Sequence, residues 1–308
     1  MKRPPQVIVV GTLNVDYIWQ VPVLPQPGQT IIADAAERQF GGKGANQAVA
    51  VARQGFPVTL VGAVGNDADG QRYREHLLHE GVAAEFVTSV AGAATGAAHV
   101  YVDPRGENLI VVNRGANAQL DATVVARVVQ PGDVMLLQLE CALPAAVAAL
   151  RFAALQGARS VLNASPVNRN FPWGRQAIEA VVVNQHECRE IFAQEPLRLE
   201  RLSYDERGAL LAERKIGHLI VTQGSSPTLH FSAAAVARVP TYPVEPRDTV
   251  GAGDTFAGAL AGSLAAGVDW PAALWRANVA AALSTLGLGA QAAMPRRAEV
   301  DAVGPRPD

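Results

Sequence analysis

Short β-branched runs alternate with longer alanine- and leucine-rich stretches along almost the whole chain. That rhythm is what parallel strands joined by crossover helices produce, and it leaves few other folds open. The runs from Val7 to Val10, Val58 to Val61, Val134 to Leu137, Ser160 to Leu162, Ala180 to Val183 and His218 to Val221 read as strands. Helical spacing covers residues 45–54, 70–79, 144–156, 186–192, 204–214, 255–266 and 271–286. The expected fold class is therefore α/β, a doubly wound and mostly parallel sheet flanked by helices. A length of 308 residues suits one large unit of this kind with a small appendage, so residues 1–308 are read as a single domain.

Two places break the rhythm with extended residues and turns but no helix. One runs over about residues 17–34. The other covers about 97–113, where Tyr101-Val-Asp and Asn108-Leu-Ile-Val-Val flank the turn segment Pro104-Arg-Gly-Glu as in a hairpin. Together they predict a small sheet projecting from the α/β body, placed to act as a lid, as an edge used for dimerisation, or as both.

Bulk properties limit the partners. With 26 basic and 28 acidic residues the formal charge is −2, so no global field favours nucleic acid or an anionic membrane, and any phosphate must be gripped locally. The two cysteines, Cys141 and Cys188, are far apart and form neither a disulfide framework nor a zinc motif. The apolar stretches are too short or too interrupted for a membrane span or a signal segment, and a cytoplasmic protein is expected.

Two glycine-rich turns lead directly into helices. In Asp248-Thr-Val-Gly-Ala-Gly-Asp-Thr-Phe, the amides of Gly251, Ala252 and Gly253 converge at a helix start, where the macrodipole adds positive potential and an anion is favoured. Asp254 sits in the first turn beside that point. It is placed either to accept a hydroxyl proton during phosphoryl transfer or to cap the helix. In Phe40-Gly-Gly-Lys-Gly-Ala-Asn-Gln, close backbone approach at Gly42 is combined with donors from Lys43 and Asn46. Walker and protein-kinase motifs are both missing from the sequence.

Polar residues also stand at the predicted strand ends: Asn14 and Asp16, Glu140, and Asn184 with Glu187. Beyond the carboxyl ends of parallel strands such residues share one crevice. Asn14 and Asp16 form a fork for vicinal hydroxyls, and Asn184 with Glu187 suits the water shell of Mg²⁺. The six histidines show no ligand spacing.

Taken together, G-G-K-G-A-N-Q-A and D-T-V-G-A-G-D-T-F resemble the paired signatures of the PfkB-type carbohydrate kinases, and the first is similar to that of the ribokinases within them. G-T-L-N-V-D, P-R-G-E-N, R-G-A-N, L-L-Q-L-E, N-A-S-P, N-Q-H-E and V-T-Q-G-S extend the likeness over nearly the whole chain. The resemblance implies a ribokinase-like body with a β-sheet lid that doubles as a dimer interface, using ATP and Mg²⁺ to phosphorylate a terminal primary hydroxyl, that of D-ribose first. It further implies that Asn14, Asp16, Gly42, Lys43, Asn46 and Glu140 hold the sugar and that Asp254 is the base, with Gly251, Ala252 and Gly253 as anion hole. Asn184 and Glu187 would serve Mg²⁺ and phosphate, Thr222 and Gly224 the nucleotide, and Asn278 the adenine side. Asp248 and the Val250 carbonyl would hold K⁺, although Ala293 stands where ribokinases commonly carry a serine hydroxyl. A nucleoside, fructose or deoxyribose as acceptor, and a sugar-binding protein without turnover, are the alternatives.

Overall fold

A computed structural model of the protein describes residues 3–305. The strands are β1 (Val7–Val10), β2 (Asn14–Gln20), β3 (Ala35–Gly41), β4 (Val58–Gly65), β5 (Val87–Val90), β6 (Gly96–Val102), β7 (Asn108–Asn113), β8 (Val134–Gln138), β9 (Arg159–Asn163), β10 (Ile178–Asn184), β11 (Ile216–Gln223), β12 (Ser226–Ser232) and β13 (Val236–Val239). Nine of them form one sheet in the order β13-β12-β11-β10-β9-β8-β1-β4-β5. All its pairings from β5 to β11 are parallel, and β12 and β13 extend it antiparallel.

Side-chain alternation divides the interior in two. Val7 and Val9 point into a core shared with the helices Lys43–Arg53, Ala252–Ala265 and Trp270–Ser284. Ile8 and Val10 point into a second core packed by Leu143–Leu155, Gln185–Phe192 and Tyr204–Glu213. A strand buried on both faces has no polar face to alternate with, which is why β1 reads VIVV. Because β1 pairs with β4 on one side and β8 on the other, the strand order reverses there, and a crevice opens beyond the carboxyl ends. Among the described residues no helix is long and apolar enough to cross a membrane.

Four strands form a separate small sheet in the order β3-β2-β6-β7. The hairpin expected over 97–113 is there as β6 and β7, closed by a turn in which Gly106 N–H donates to Asp103 O. The segment expected over 17–34 is corrected. Its strand β2 starts earlier, at Asn14, and ends at Gln20, residues 21–34 lie outside any strand, and the partner strand is β3. Pro22, Pro25 and Pro27 cannot donate to a ladder, which keeps that stretch out of the sheet.

Helices Lys43–Arg53 and Ala252–Ala265 cross at near backbone contact. A Cβ on Gly258 would lie 2.6 Å from Ala50 Cβ and 2.7 Å from Gln47 O. The crossing sets how closely the two glycine-rich turns approach. Gly258→Ala should lower the unfolding free energy by about 1–3 kcal/mol through overpacking, as urea denaturation would report; an unchanged midpoint would contradict this packing.

Candidate active site

Both glycine turns take backbone conformations that demand glycine. Gly42 has φ +85°, and a Cβ there would lie 2.7 Å from Asn14 N. Gly251 has φ +78°, and its Cβ would lie 2.9 Å from Ala290 Cα. The first turn is thus pressed onto the β1–β2 connection and the second onto the start of the short helix Ala290–Ala293.

The second turn opens the helix Ala252–Ala265, with Gly251 in the capping position. Ala252 N–H donates to Thr249 O at 3.2 Å, whereas the N–H groups of Gly251, Gly253 and Asp254 have no protein partner among the described residues. A Cβ on Gly253 would meet nothing within 4 Å, so this helix start faces open space. Asp254 does not cap the helix. Its Oδ2 accepts from Asn46 Nδ2 at 3.0 Å and its Oδ1 from Gln47 Nε2 at 2.9 Å, both donors belonging to the other glycine-led helix. Burial raises the Asp254 carboxyl above its ordinary range, against the opposing pull of Lys43 and the two amides.

The first turn gathers the remaining charges. Glu140 Oε2 accepts from Lys43 N–H at 3.0 Å and from the Thr12 hydroxyl. Asp16 is pushed up to about 7, by burial first and by Glu140 second. Burial alone would lower Lys43, but Asp254, Glu140 and Glu187 outweigh it and hold the ammonium above its usual value. Asn14 Oδ1 accepts from Asn117 Nδ2 at 2.9 Å, while Asn117 also bonds both backbone groups of Leu13. Asn14 is therefore oriented, with its own amide NH₂ free of protein partners among the described residues. On the small sheet, Tyr17 stacks on His99 with centroids 5.1 Å apart and donates to Asp69 Oδ2 at 2.7 Å.

A polar cavity of about 220 Å³ lies against this cluster, lined by Lys43, Asn163, Asn184, Glu187, Gly253 and Asp254 among others. It shares Thr222, Thr249 and Gly253 with a neighbouring cavity of about 390 Å³, whose walls include Gly224, Tyr242, Val244, Phe256 and Ala281. Asn278 lines the second cavity, yet its side chain is committed to the protein: it accepts from Thr228 Oγ1 at 2.7 Å and donates to Pro240 O at 2.8 Å. Asn184 and Glu187 form a reciprocal capping box on the helix Gln185–Phe192, which engages one oxygen of Glu187. Asp248 accepts from Val250 N–H at 3.0 Å and from Gly289 N–H at 2.8 Å, tying the second glycine turn to the loop that leads to Ala293.

The residues singled out in the sequence thus fall into three adjoining groups: Asn14, Asp16, Gly42, Lys43, Asn46, Glu140 and Asp254; Asn184, Glu187 and Gly251 to Gly253; and Thr222, Gly224 and Asn278. Asp248 and Val250 lie beside them on the 248–250 turn. Sequence reasoning missed Gln47, Gln138, Asn163, Asn117 and Gln291, a set of buried amides around the first group. Gln47, Asn117, Gln138 and Asn163 stood inside G-G-K-G-A-N-Q-A, R-G-A-N, L-L-Q-L-E and N-A-S-P, without a signal separating an amide that holds the site from a surface polar residue.

The profile of the pfkB family of carbohydrate kinases matches residues 4–297. Ribokinase of Bacillus subtilis is 32% identical over 301 residues, spanning 96% of this chain and 98% of that protein. Deoxyribokinase of Salmonella typhi is 30% identical, over 94% of this chain and 95% of that protein. Among solved structures, Arabidopsis thaliana ribokinase complexed with ribose and ATP superposes with a TM-score of 0.84 at 27% identity, covering 97% of this chain and 98% of that one.

Asp16 sets a pH dependence. Between its ordinary value of 3.8 and its raised value of about 7, the native protein holds a proton that the unfolded chain has released. Stability therefore falls as pH rises through that window. Asp16→Asn removes the effect, so its stability relative to the unsubstituted protein should climb from pH ~4 to ~7 and level off above ~8 in denaturant titrations. A difference independent of pH would contradict the assignment.

Proposed function

The chain belongs to the pfkB family of carbohydrate kinases, and we propose on that premise that it transfers the γ-phosphoryl group of ATP to the terminal primary hydroxyl of D-ribose, giving D-ribose 5-phosphate. The observation that carries this reading is Asp254, a buried carboxylate held by two amides at the wall of the polar cavity, next to the free N–H groups of a helix start. The full-length likeness to ribokinases supports ribose as the acceptor.

In this reading Asp254 accepts the proton of the terminal hydroxyl as that oxygen attacks the phosphorus, and its raised affinity for a proton makes it a better base. Asn14, Asp16, Lys43, Asn46 and Glu140 hold the other hydroxyls, and Gly42 serves the sugar site by letting its turn seat against the backbone of residues 12–14. Gly251, Gly253 and Asp254 N–H groups stabilise the charge developing on the transferred group, with Ala252 completing the turn rather than donating. Asn184, Thr222 and Gly224 border the phosphates and ribosyl part of the nucleotide. Asn278 shapes the adenine cavity by fixing Thr228 and the 239–240 backbone rather than by contacting the base. Glu187 fits a role toward hydrated Mg²⁺, because its capping bond occupies only one carboxylate oxygen. Mg²⁺ carried in with ATP supplies charge neutralisation on the phosphates. Asp248 and the Val250 carbonyl are proposed to hold K⁺, with one hydroxyl ligand fewer because residue 293 is alanine.

The small sheet is proposed as a lid over the sugar site and as the contact between two copies of the chain. Supporting this, β7 forms an edge and leaves Ile110, Val111 and Val112 each more than half exposed. An exposed apolar edge strand of this kind is a ready template for pairing with another chain. The net charge of −2 argues against nucleic-acid or membrane partners, and the buried free thiols Cys141 and Cys188 suit the cytoplasm.

A coupled ADP-release assay across ribose, deoxyribose, fructose, adenosine and uridine tests the acceptor. Ribose should give the highest kcat/KM, with deoxyribose lower by as much as ~10⁴-fold if the missing hydroxyl is one the site bonds. Silence on all five would overturn the kinase reading. In the same assay, replacing K⁺ by a large organic cation should slow turnover, and an unchanged rate would remove the cation role.

A further inference from the structure

A directed chain of hydrogen bonds runs from Asp254 to the rim of the molecule. Asn46 Nδ2 donates to Asp254, Gln291 Nε2 donates to Asn46 Oδ1 at 2.9 Å, and Gln291 Oε1 meets His76 Nε2 at 2.7 Å. Asn46 and Gln291 are buried, and His76 is half-buried. The polarity follows from the carboxylate, which only accepts. Asn46 must therefore turn its NH₂ inward and its carbonyl outward, Gln291 must offer its NH₂ to that carbonyl, and His76 must carry a proton on Nε2. A side branch enforces the same direction. The Tyr73 hydroxyl spends its hydrogen on Gly41 O, so it receives the second hydrogen of the Gln291 amide, at 3.1 Å.

Each link is braced. The His76 ring stacks on Phe40 with centroids 4.4 Å apart, immediately before the first glycine turn. Arg53 holds the backbone around Gln291 through Gln291 O and Met294 O, at 2.5 and 2.9 Å, while pairing with Glu80. Without Gln291, the Asn46 amide could rotate by half a turn and set its carbonyl against the Asp254 carboxylate.

We infer that Gln291 and His76 are positioning residues for the phosphoryl-transfer reaction, acting through Asn46 to keep an amide donor on Asp254. The inference rests on Asp254 being the base. The charged groups facing Asp254 are Lys43 and Glu140, with Glu187 on the same cavity, and those beside His76 are Glu80 and its partners Arg53 and Arg296. Gln291→Met keeps all of these in place and adds no charge, whereas Gln291→Glu adds a carboxylate and the substitutions at 76 remove a group that acts on Glu80.

The test is the pH profile of kcat with ribose and ATP for the unsubstituted protein, Gln291→Met, Gln291→Glu, His76→Phe and His76→Gln. Met removes the donor at similar size, and Glu presents only acceptors, inverting the Asn46 amide. Both should lower kcat at neutral pH by about 10-fold or more and move the acid limb to higher pH, with the KM for ATP unchanged. Phe keeps the stack on Phe40 but loses the donor, so it should shift the limb in the same direction, and Gln at 76 should restore it. Unchanged kcat and acid limb in both Gln291→Met and His76→Phe would overturn the inference. Active relay variants beside an inactive Asp254→Asn would sink the relay alone. Absence of ribose turnover in the unsubstituted protein would instead sink the proposed function.

Discussion

A carboxylate buried between two helix starts must either lose its charge or be given donors, because desolvation penalises the ionised form. In this protein Asp254 receives one amide hydrogen on each oxygen, from Asn46 and Gln47 on the neighbouring helix. Those bonds need the two helices to cross at close range, and Gly258 permits that crossing. Gly42 and Gly251 then fold the preceding turns away, so that the helix starts face the same crevice. The conformational cost of so many glycines is offset by a geometry that residues with a side chain cannot reach.

The charge balance around this clamp explains the shape of the site. Asp16, Glu140 and Asp254 stand close together against a single ammonium, Lys43. An excess of carboxylates is unsuited to binding ATP directly and well suited to sugar hydroxyls, which can donate to them. In the proposed reaction the phosphates lie one step further along, over the free N–H groups of the second turn. The polar cavity that Asp254 lines adjoins the larger cavity proposed for the nucleotide, sharing Thr222, Thr249 and Gly253 with it.

Much of this was legible in the sequence. VIVV and its counterparts are strands buried on both faces, and both glycine turns gave away their helices through the abrupt change from glycine to alanine-rich periodicity. The second helix starts at Ala252 rather than near Thr255, which moves Asp254 to its third position and frees it from a capping role. The strands β3, β5, β12 and β13 were not legible. AAERQFG is mostly exposed and charged, and SPTLHFS with VARV adds an antiparallel edge whose pairing only the fold defines. The buried amides were hidden for a related reason. Gln47, Gln138, Asn163 and Gln291 are far apart in the chain, and their polarity gains a purpose only when the helix Lys43–Arg53, β8, β9 and the chain after Gly289 meet around the amides that hold the Asp254 carboxylate. Sequence spacing reports neighbours on one element, and a convergence of four elements leaves no local pattern.

In the proposed reaction Asp254 works as a base and not as a structural anchor. Asp254→Asn keeps the volume while losing the ability to take a proton, so calorimetric ribose binding and single-turnover phosphoryl transfer on that one variant separate the roles. Ribose affinity within a few-fold of the unsubstituted protein, with transfer slowed by roughly 10²-fold or more, is the expected result. Transfer at a near-normal rate would contradict the account.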